Sequence, residues 1–133
     1  MFKKISHIGV AVKDIKASKE LFSKLFGKAP EREEDLPEHK VKTAIFNIGE
    51  SSIELTEAMD SESPIMRFIA ARGEGVHHVS FVVDDIEKEL ARLRDAGFQL
   101  VDERPRPGAD GYLVAFLHPR STNGVLIEIS QQK

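Results

Sequence analysis

The sequence predicts an α+β protein built from two tandem modules, each in the order β-α-β-β-β. The first observation is an internal repeat: residues 5–15, ISHIGVAVKDI, align with residues 76–86, VHHVSFVVDDI. In both copies a histidine opens an apolar strand pattern, and an Asp-Ile pair follows where a helix pattern begins. The second observation is that strand and helix patterns then alternate in the same order in both halves. Because a repeat of this kind marks a repeated structural unit, we expect two similar modules.

We expect the 133 residues to form a single domain, which is long enough to bury a sizeable core. Module one spans 1–57, a connector with a helix spans 58–75, and module two spans 76–133.

Composition narrows the possible partners. The net charge of −3 and the pI near 6.0 do not favour nucleic acid or an anionic membrane as partner. Without cysteine there is no disulfide, thiolate metal site or cysteine nucleophile. No run approaches the ~20 apolar residues of a membrane span, and the N-terminal pattern is typical of a strand rather than a signal peptide. We therefore expect a cytoplasmic protein.

Module one begins with a strand in which apolar and small residues alternate. Asp14 is expected to cap the following helix, and Gly27 to end it. A charged segment with two prolines then predicts a loop or an edge strand, before two strands joined by a tight turn. The expected ranges are 5–12 and 40–48 for two of the strands, 28–40 for the loop or edge strand, and 52–56 for the last strand.

The connector and module two follow the same logic. Ser63 and Pro64 fit the N-cap and first position of a helix that ends near Gly73. A strand, a helix ended by Gly97, a short strand, a turn-rich loop and a hairpin come next. The expected ranges are 78–83 for the strand, 86–96 for the helix and 98–101 for the short strand. The loop is expected at 104–111, and the two strands of the hairpin at 112–117 and 124–129.

A second repeated element is acidic. Residues 51–57, SSIELTE, align with residues 124–130, GVLIEIS, and this places Glu54 on Glu128. Each module therefore offers one histidine on its first strand and one glutamate on its last.

Strand periodicity predicts which way these side chains point. His7 shares a face with Gly9 and Ala11, and His78 shares a face with Ser80. The opposite faces are apolar and should carry the helices. The ligand-type residues therefore lie among mostly small or polar neighbours, which leaves room for a cavity.

Two imidazoles and two carboxylates suit a divalent transition metal such as Zn²⁺, Mn²⁺, Co²⁺ or Ni²⁺. We expect His7, Glu54, His78 and Glu128 to bind it if the modules pair about a pseudo-twofold axis. Four protein ligands would leave two octahedral positions for a bidentate oxygen substrate. His77 belongs to the opposite face and has no counterpart in module one, so we expect it to pack or to support the ligands.

Five segments resemble the vicinal oxygen chelate superfamily, which includes glyoxalases, bleomycin resistance proteins and dioxygenases. They are HIGVAV (7–12), IELTE (53–57), SPIMRFIAARGEGVHHVSFVVDDI (63–86), DERPRPGADG (102–111) and AFLHPRSTNGVLIEI (115–129). Within the superfamily, the resemblance is to the methylmalonyl-CoA epimerase family. It implies that the two modules form a curved, partly closed mixed sheet around a metal held by the four residues above.

The resemblance also implies an activity. It is a metal-dependent isomerase of propionate metabolism that interconverts the C2 epimers of methylmalonyl-CoA through a metal-stabilised enolate. Glu128 and Glu54 are the implied acid-base residues, and a homodimer is expected. Thr43, Arg104, Arg106 and Arg120 are the candidate contacts of the acyl-CoA substrate. Many epimerases have a glutamate where this chain has Thr43, so the second acid-base group stays open among Glu54, Glu38, His39 and a water.

Two alternatives stay open at this point. A glyoxalase I-like lactoylglutathione lyase would use the same four ligands and an enediolate intermediate. A metal-free binding or resistance protein of the superfamily typically lacks those ligands. The identity of the metal is also open.

Overall fold

The computed structural model of the protein describes residues 1–132, which form eight strands, three α-helices and two 3₁₀ turns. The strands are β1 (Phe2–Ala11), β2 (Arg32–Leu36), β3 (Val41–Ile48), β4 (Ser51–Ala58), β5 (Gly75–Val83), β6 (Arg106–Pro107), β7 (Tyr112–Leu117) and β8 (Ile127–Gln132). The helices are α1 (Ile15–Phe26), α2 (Pro64–Arg72) and α3 (Ile86–Asp95), and the 3₁₀ turns span Ala109–Gly111 and Pro119–Ser121. The predicted α+β class is confirmed.

The chain divides into two compact units. The N-terminal unit is Ile8–His77, and the C-terminal unit combines Met1–His7 with the described residues from His78 onward. The first half of β1 therefore packs with the second half of the chain. The domain boundaries expected from the sequence stay a prediction.

In the N-terminal unit the strand order is β2-β3-β4-β1, and β2, β3 and β4 pair antiparallel. One sheet face is apolar and is covered by α1. Its core consists of Val12, Ala44, Phe46 and Leu55, with Ile15, Phe22 and Phe26 of the helix packed against them. Helix α2 packs through Ile65 near Ala11 and Val41.

The caps that the sequence predicts for α1 and α2 are present. The Asp14 carboxylate accepts hydrogen bonds from the amides of Lys16 and Ala17, and Ser63 Oγ accepts one from Ile65. These bonds satisfy amides that a helix start otherwise leaves open. Gly27 ends α1 in a left-handed conformation that favours glycine.

In the C-terminal unit the strand order is β1-β5-β8-β7-β6. Strands β5 and β8 are parallel, whereas β6, β7 and β8 pair antiparallel, so the sheet is mixed. Helix α3 covers one face. The core beneath it consists of Val83, Ile86, Leu90, Leu93, Ala115, Leu117 and Ile129.

The opposite face of this sheet carries the ligand-type residues, as strand periodicity predicts. Glu128 on β8 stands in register with Ser80 on β5 and with Phe116 on β7. His78 lies two residues before Ser80, on the same side of β5. The apolar packing under α3 thus fixes which residues point away from the helix.

Three element assignments from the sequence need correction. The predicted strand 98–101 is reduced to one bridge between Leu100 and Leu117. The amides of both Val101 and Asp102 donate to the Phe116 carbonyl, so two residues oppose one and the ladder is interrupted.

Strand β8 begins at Ile127, not at residue 124, because the amides of Gly124 and Val125 are used in the preceding turns. The predicted loop 104–111 contains the short strand β6. In module one, the segment 28–40 takes its edge-strand alternative as β2. Among the described residues, no helix is long and apolar enough to cross a membrane.

Gly108 supports the close approach of β6 to β7. A Cβ atom at this position would lie 2.6 Å from Val114 Cγ1. We expect Gly108→Ala to lower the free energy of unfolding by about 1–3 kcal/mol through overpacking, measured by urea denaturation. In a Val114→Ala background the same change should cost clearly less. An unchanged urea midpoint in the single variant would contradict this packing.

Candidate metal centre

Three strands of the C-terminal unit bring ligand-type atoms together. His7 lies on β1, His78 on β5 and Glu128 on β8, and all three side chains are largely buried. His7 Nε2 lies 3.1 Å from His78 Nε2 and 3.3 Å from Glu128 Oε1. The structure therefore brings together His7, His78 and Glu128, which the sequence predicts as ligands.

Each of these two distances matches the distance between two ligand atoms that bind the same metal ion. Metal bonds to imidazole nitrogen or carboxylate oxygen are about 2.1 Å long, so ligand atoms lie about 3.0 Å apart at a right angle and about 3.4 Å apart at a tetrahedral angle. Both observed distances lie between these values. The donors are nitrogen and oxygen, which suits divalent ions of the first transition row.

Hydrogen bonding at the far side of the His7 ring is consistent with such a role. Ser6 Oγ lies 3.2 Å from His7 Nδ1. When Nδ1 carries the ring hydrogen and donates it to Ser6, the lone pair is left on Nε2, which faces His78 and Glu128. Histidine ligands commonly have their second ring nitrogen held in this way.

Aromatic contacts hold the His78 ring from two sides. Its centroid lies 5.1 Å from that of His7 and 5.7 Å from that of Phe116, and both pairs are close to perpendicular. Edge-to-face contacts of this type are favourable. They orient Nε2 of His78 toward His7.

Comparison with known proteins identifies the family of the chain. The family model described as the Glyoxalase/Bleomycin resistance protein/Dioxygenase superfamily matches residues 6–116. The chain belongs to this superfamily.

Two curated relatives illustrate the range of its members. The uncharacterized protein YqjC of Bacillus subtilis is 38% identical over 130 residues, covering 98% of this chain and 93% of YqjC. The ethylmalonyl-CoA/methylmalonyl-CoA epimerase of Cereibacter sphaeroides is 32% identical, covering 98% of this chain and 99% of the relative.

Solved structures of methylmalonyl-CoA epimerases match the fold of the chain. One is from Streptomyces coelicolor in complex with 2-nitronate-propionyl-CoA, and another is in complex with methylmalonyl-CoA and NH₄⁺. Each has a TM-score of 0.95 and 32% sequence identity, covering 99% of this chain and 96% of the matched chain. The fold class expected from the resemblance is thus confirmed.

His77 lies in different surroundings from its neighbour His78. Its ring packs edge-on against Phe68, with 4.9 Å between the centroids. Burial lowers the pKa of His77 to about 4, so the ring is neutral near pH 7. His77 is part of the N-terminal unit and occupies a packing position there.

Glu54, the fourth predicted ligand of the superfamily pattern, lies on β4 of the N-terminal unit and is buried. Its register partner on β3 is Ile45, and Thr43 pairs with Thr56. Thr43 therefore shares a sheet face with Glu54. Its hydroxyl donates to the Glu34 carbonyl at 2.8 Å. The role of Glu54 as a ligand stays a prediction.

The three arginines proposed to contact substrate lie in different settings. Arg104 and Arg120 are exposed. The Arg106 guanidinium lies 5.9 Å from the centre of the Phe116 ring, and its Nε lies 3.4 Å from Asp102 Oδ1. Since Arg106 is in register with Val114, two residues before Phe116, it stands on the sheet face of His78 and Glu128.

Sequence reasoning did not single out Phe116, Ser6 and Asp102 as parts of the site. Asp102 accepts a hydrogen bond from the Phe116 amide at 2.8 Å and also faces Arg106. Periodicity along 112–117 indicates that Phe116 faces away from the helix, so a signal existed for this residue. The roles of Ser6 and Asp102 depend on the fold and have no such signal.

Replacing the histidines separately tests the site. His7→Ala and His78→Ala should each reduce the content of bound divalent metal sharply, because each removes a nitrogen ligand. His77→Ala is the matched control and should leave metal content near one ion per chain, measured by atomic emission on purified protein. Loss of metal from His77→Ala but not from His78→Ala would show that the wrong histidine had been assigned.

Proposed function

We propose that this protein is a metal-dependent epimerase that interconverts the two C2 epimers of methylmalonyl-CoA. The named relatives and solved structures support an epimerase, an enzyme of the isomerase class. The observation that carries the proposal is the meeting of His7, His78 and Glu128 on one buried sheet face, with nitrogen and oxygen separations that suit one ion.

The step of this reaction that requires catalysis is removal of the C2 proton. The C2 hydrogen of methylmalonyl-CoA lies between a thioester and a carboxylate, and its removal as a proton leaves negative charge on the thioester oxygen. The proton must then return to the opposite face of C2. The protein therefore has to stabilise an oxyanion and supply acid-base groups to both faces.

His7, His78 and Glu128, with Glu54 as the fourth ligand, would hold the ion. When bound, a divalent ion supplies positive charge to the thioester and carboxylate oxygens. Support for Glu54 comes from its alignment with Glu128 in the internal repeat and from its burial. Co²⁺, Mn²⁺, Ni²⁺ and Zn²⁺ all suit this set of donors.

The residues proposed to move protons are Glu128 and Glu54. One of the two carboxylates would take the C2 proton from one face, and the other, in its protonated form, would deliver a proton to the opposite face, each through an oxygen that does not bind the ion. Thr43 stands where many epimerases have a glutamate, and its hydroxyl is already bonded to a backbone carbonyl. Thr43 therefore contacts substrate in this proposal and does not act as a base.

Coenzyme A brings several phosphate charges, for which arginine is the preferred partner. Arg106 is held beside Phe116 on the sheet face of the site, and Arg104 and Arg120 are exposed to solvent nearby in sequence. We assign Arg106 to the acyl end of the ligand and the two exposed arginines to its phosphates. This division follows from their different burial.

The remaining parts of the proposal concern the cell. We place the enzyme in the cytoplasm, within propionate metabolism and without a nucleic-acid or membrane partner, and we expect a homodimer. The animal and Dictyostelium relatives are named as mitochondrial proteins.

Proton exchange at C2 tests this function. In deuterated water, the metal-loaded protein should incorporate deuterium into methylmalonyl-CoA, with both epimers reaching equal deuteration by NMR. Glu128→Gln should lower the exchange rate by about 10²–10⁴-fold, the usual contribution of a positioned acid-base group. The hemithioacetal of methylglyoxal and glutathione serves as the competing substrate. If the protein turns over that hemithioacetal faster than methylmalonyl-CoA, the assignment as an epimerase is wrong and the protein is a lactoylglutathione lyase.

A further inference from the structure

Ser80 is a buried polar residue beside the proposed metal centre that the mechanism leaves unused. It lies on β5, two residues after His78, and its side chain is fully buried at 0% exposure. Its Oγ has no hydrogen-bond partner among the described residues. Because buried hydroxyls are nearly always hydrogen-bonded, this one needs a partner that forms in another state of the site.

The sheet order shows where that partner lies. Strand β5 separates β1 from β8, and adjacent strands lie about 4.8 Å apart, so the backbones that carry His7 and Glu128 are about 10 Å apart. Yet Glu128 Oε1 reaches within 3.3 Å of His7 Nε2. The side chains of His7 and Glu128 must therefore both extend over β5 and meet above it.

The residue of β5 in register with Glu128 is Ser80. Both side chains point to the same sheet face, so the Glu128 carboxylate passes above or beside the Ser80 side chain. A small residue leaves room for that crossing, whereas a large one would block it. Glu128 is the only carboxylate in the β5–β8 register pairs, so it is the charged group paired with Ser80.

From this geometry we propose that Ser80 is a positioning residue for Glu128. Its hydroxyl donates a hydrogen bond to the Glu128 carboxylate once that group binds the ion. One oxygen is then held by Ser80 and keeps its second lone pair for the C2 proton, and the other oxygen is directed at the metal. The inference rests on the proposed metal centre. It concerns the Ser80 hydroxyl, which is not one of the predicted ligands.

The test is a titration of metal-free protein with Co²⁺ alone, followed by calorimetry, for the wild type and for Ser80→Ala. Alanine keeps the small size and removes only the hydroxyl. Loss of a group that orients a ligand typically weakens metal binding by about 10–100-fold, and we expect a change of this size. The melting temperature of the metal-free Ser80→Ala protein should equal or exceed that of the wild type, because no protein hydrogen bond is lost.

Two further variants separate this role from a general effect. Ser130 is also buried on the same face, but its hydroxyl already donates to the Phe81 carbonyl at 3.3 Å, so Ser130→Ala should change the Co²⁺ affinity less than about threefold. In a Glu128→Ala background, Ser80→Ala should likewise change the affinity less than about threefold, since the group on which it acts is gone.

Each other result overturns the inference in a recognisable way. If Ser80→Ala binds Co²⁺ with the affinity of the wild type, Ser80 does not position Glu128, and the proposed metal centre is unaffected. An equal loss in both backgrounds would show that the hydroxyl acts on something other than Glu128. A lower melting temperature of the metal-free variant would make Ser80 a structural residue. Absence of Co²⁺ binding by the wild type would refute the proposed metal centre itself.

Discussion

The approach of two imidazole nitrogens and a carboxylate oxygen to within 3.3 Å is the constraint on which the C-terminal unit depends. Lone pairs and negative charge repel at this distance in a buried site unless a metal ion or a shared proton lies between them. The surrounding structure serves this arrangement. Helix α3 takes the apolar sheet face, which leaves the other face to His78, Ser80, Glu128 and Phe116. Ser6 and Phe116 then fix the orientation of the two rings.

The same constraint explains how one fold can serve several reactions. A divalent ion that binds two oxygen atoms of a substrate stabilises a negative charge on either, whichever bond is broken nearby. The proposed ligand set therefore does not by itself specify the reaction. The reaction depends on the residues around the proposed ion. The Thr43 hydroxyl is bonded to the Glu34 carbonyl, so Glu128 and Glu54 carry the proposed acid-base chemistry.

Most of the fold could be predicted because its signals are local. Caps at Asp14 and Ser63, strand periodicity and the internal repeat all depend on neighbouring residues. The errors lie where backbone hydrogen bonds depend on distant partners, as at Val101 and Asp102, which share one carbonyl of β7. The site follows the same rule. His7, His78 and Glu128 were found through the repeat, whereas the positions of Ser6 and Asp102 follow only from tertiary packing.

The most direct measurement is a crystal structure of the Co²⁺-loaded protein with anomalous data collected at the cobalt edge. The account predicts one strong anomalous peak per chain, bonded to Nε2 of His7, Nε2 of His78 and a carboxylate oxygen of Glu128 at about 2.0–2.2 Å. The fourth protein ligand should be Glu54. A peak bound to His77 or to surface carboxylates, or no peak beside His7 at saturating Co²⁺, would contradict the central claim.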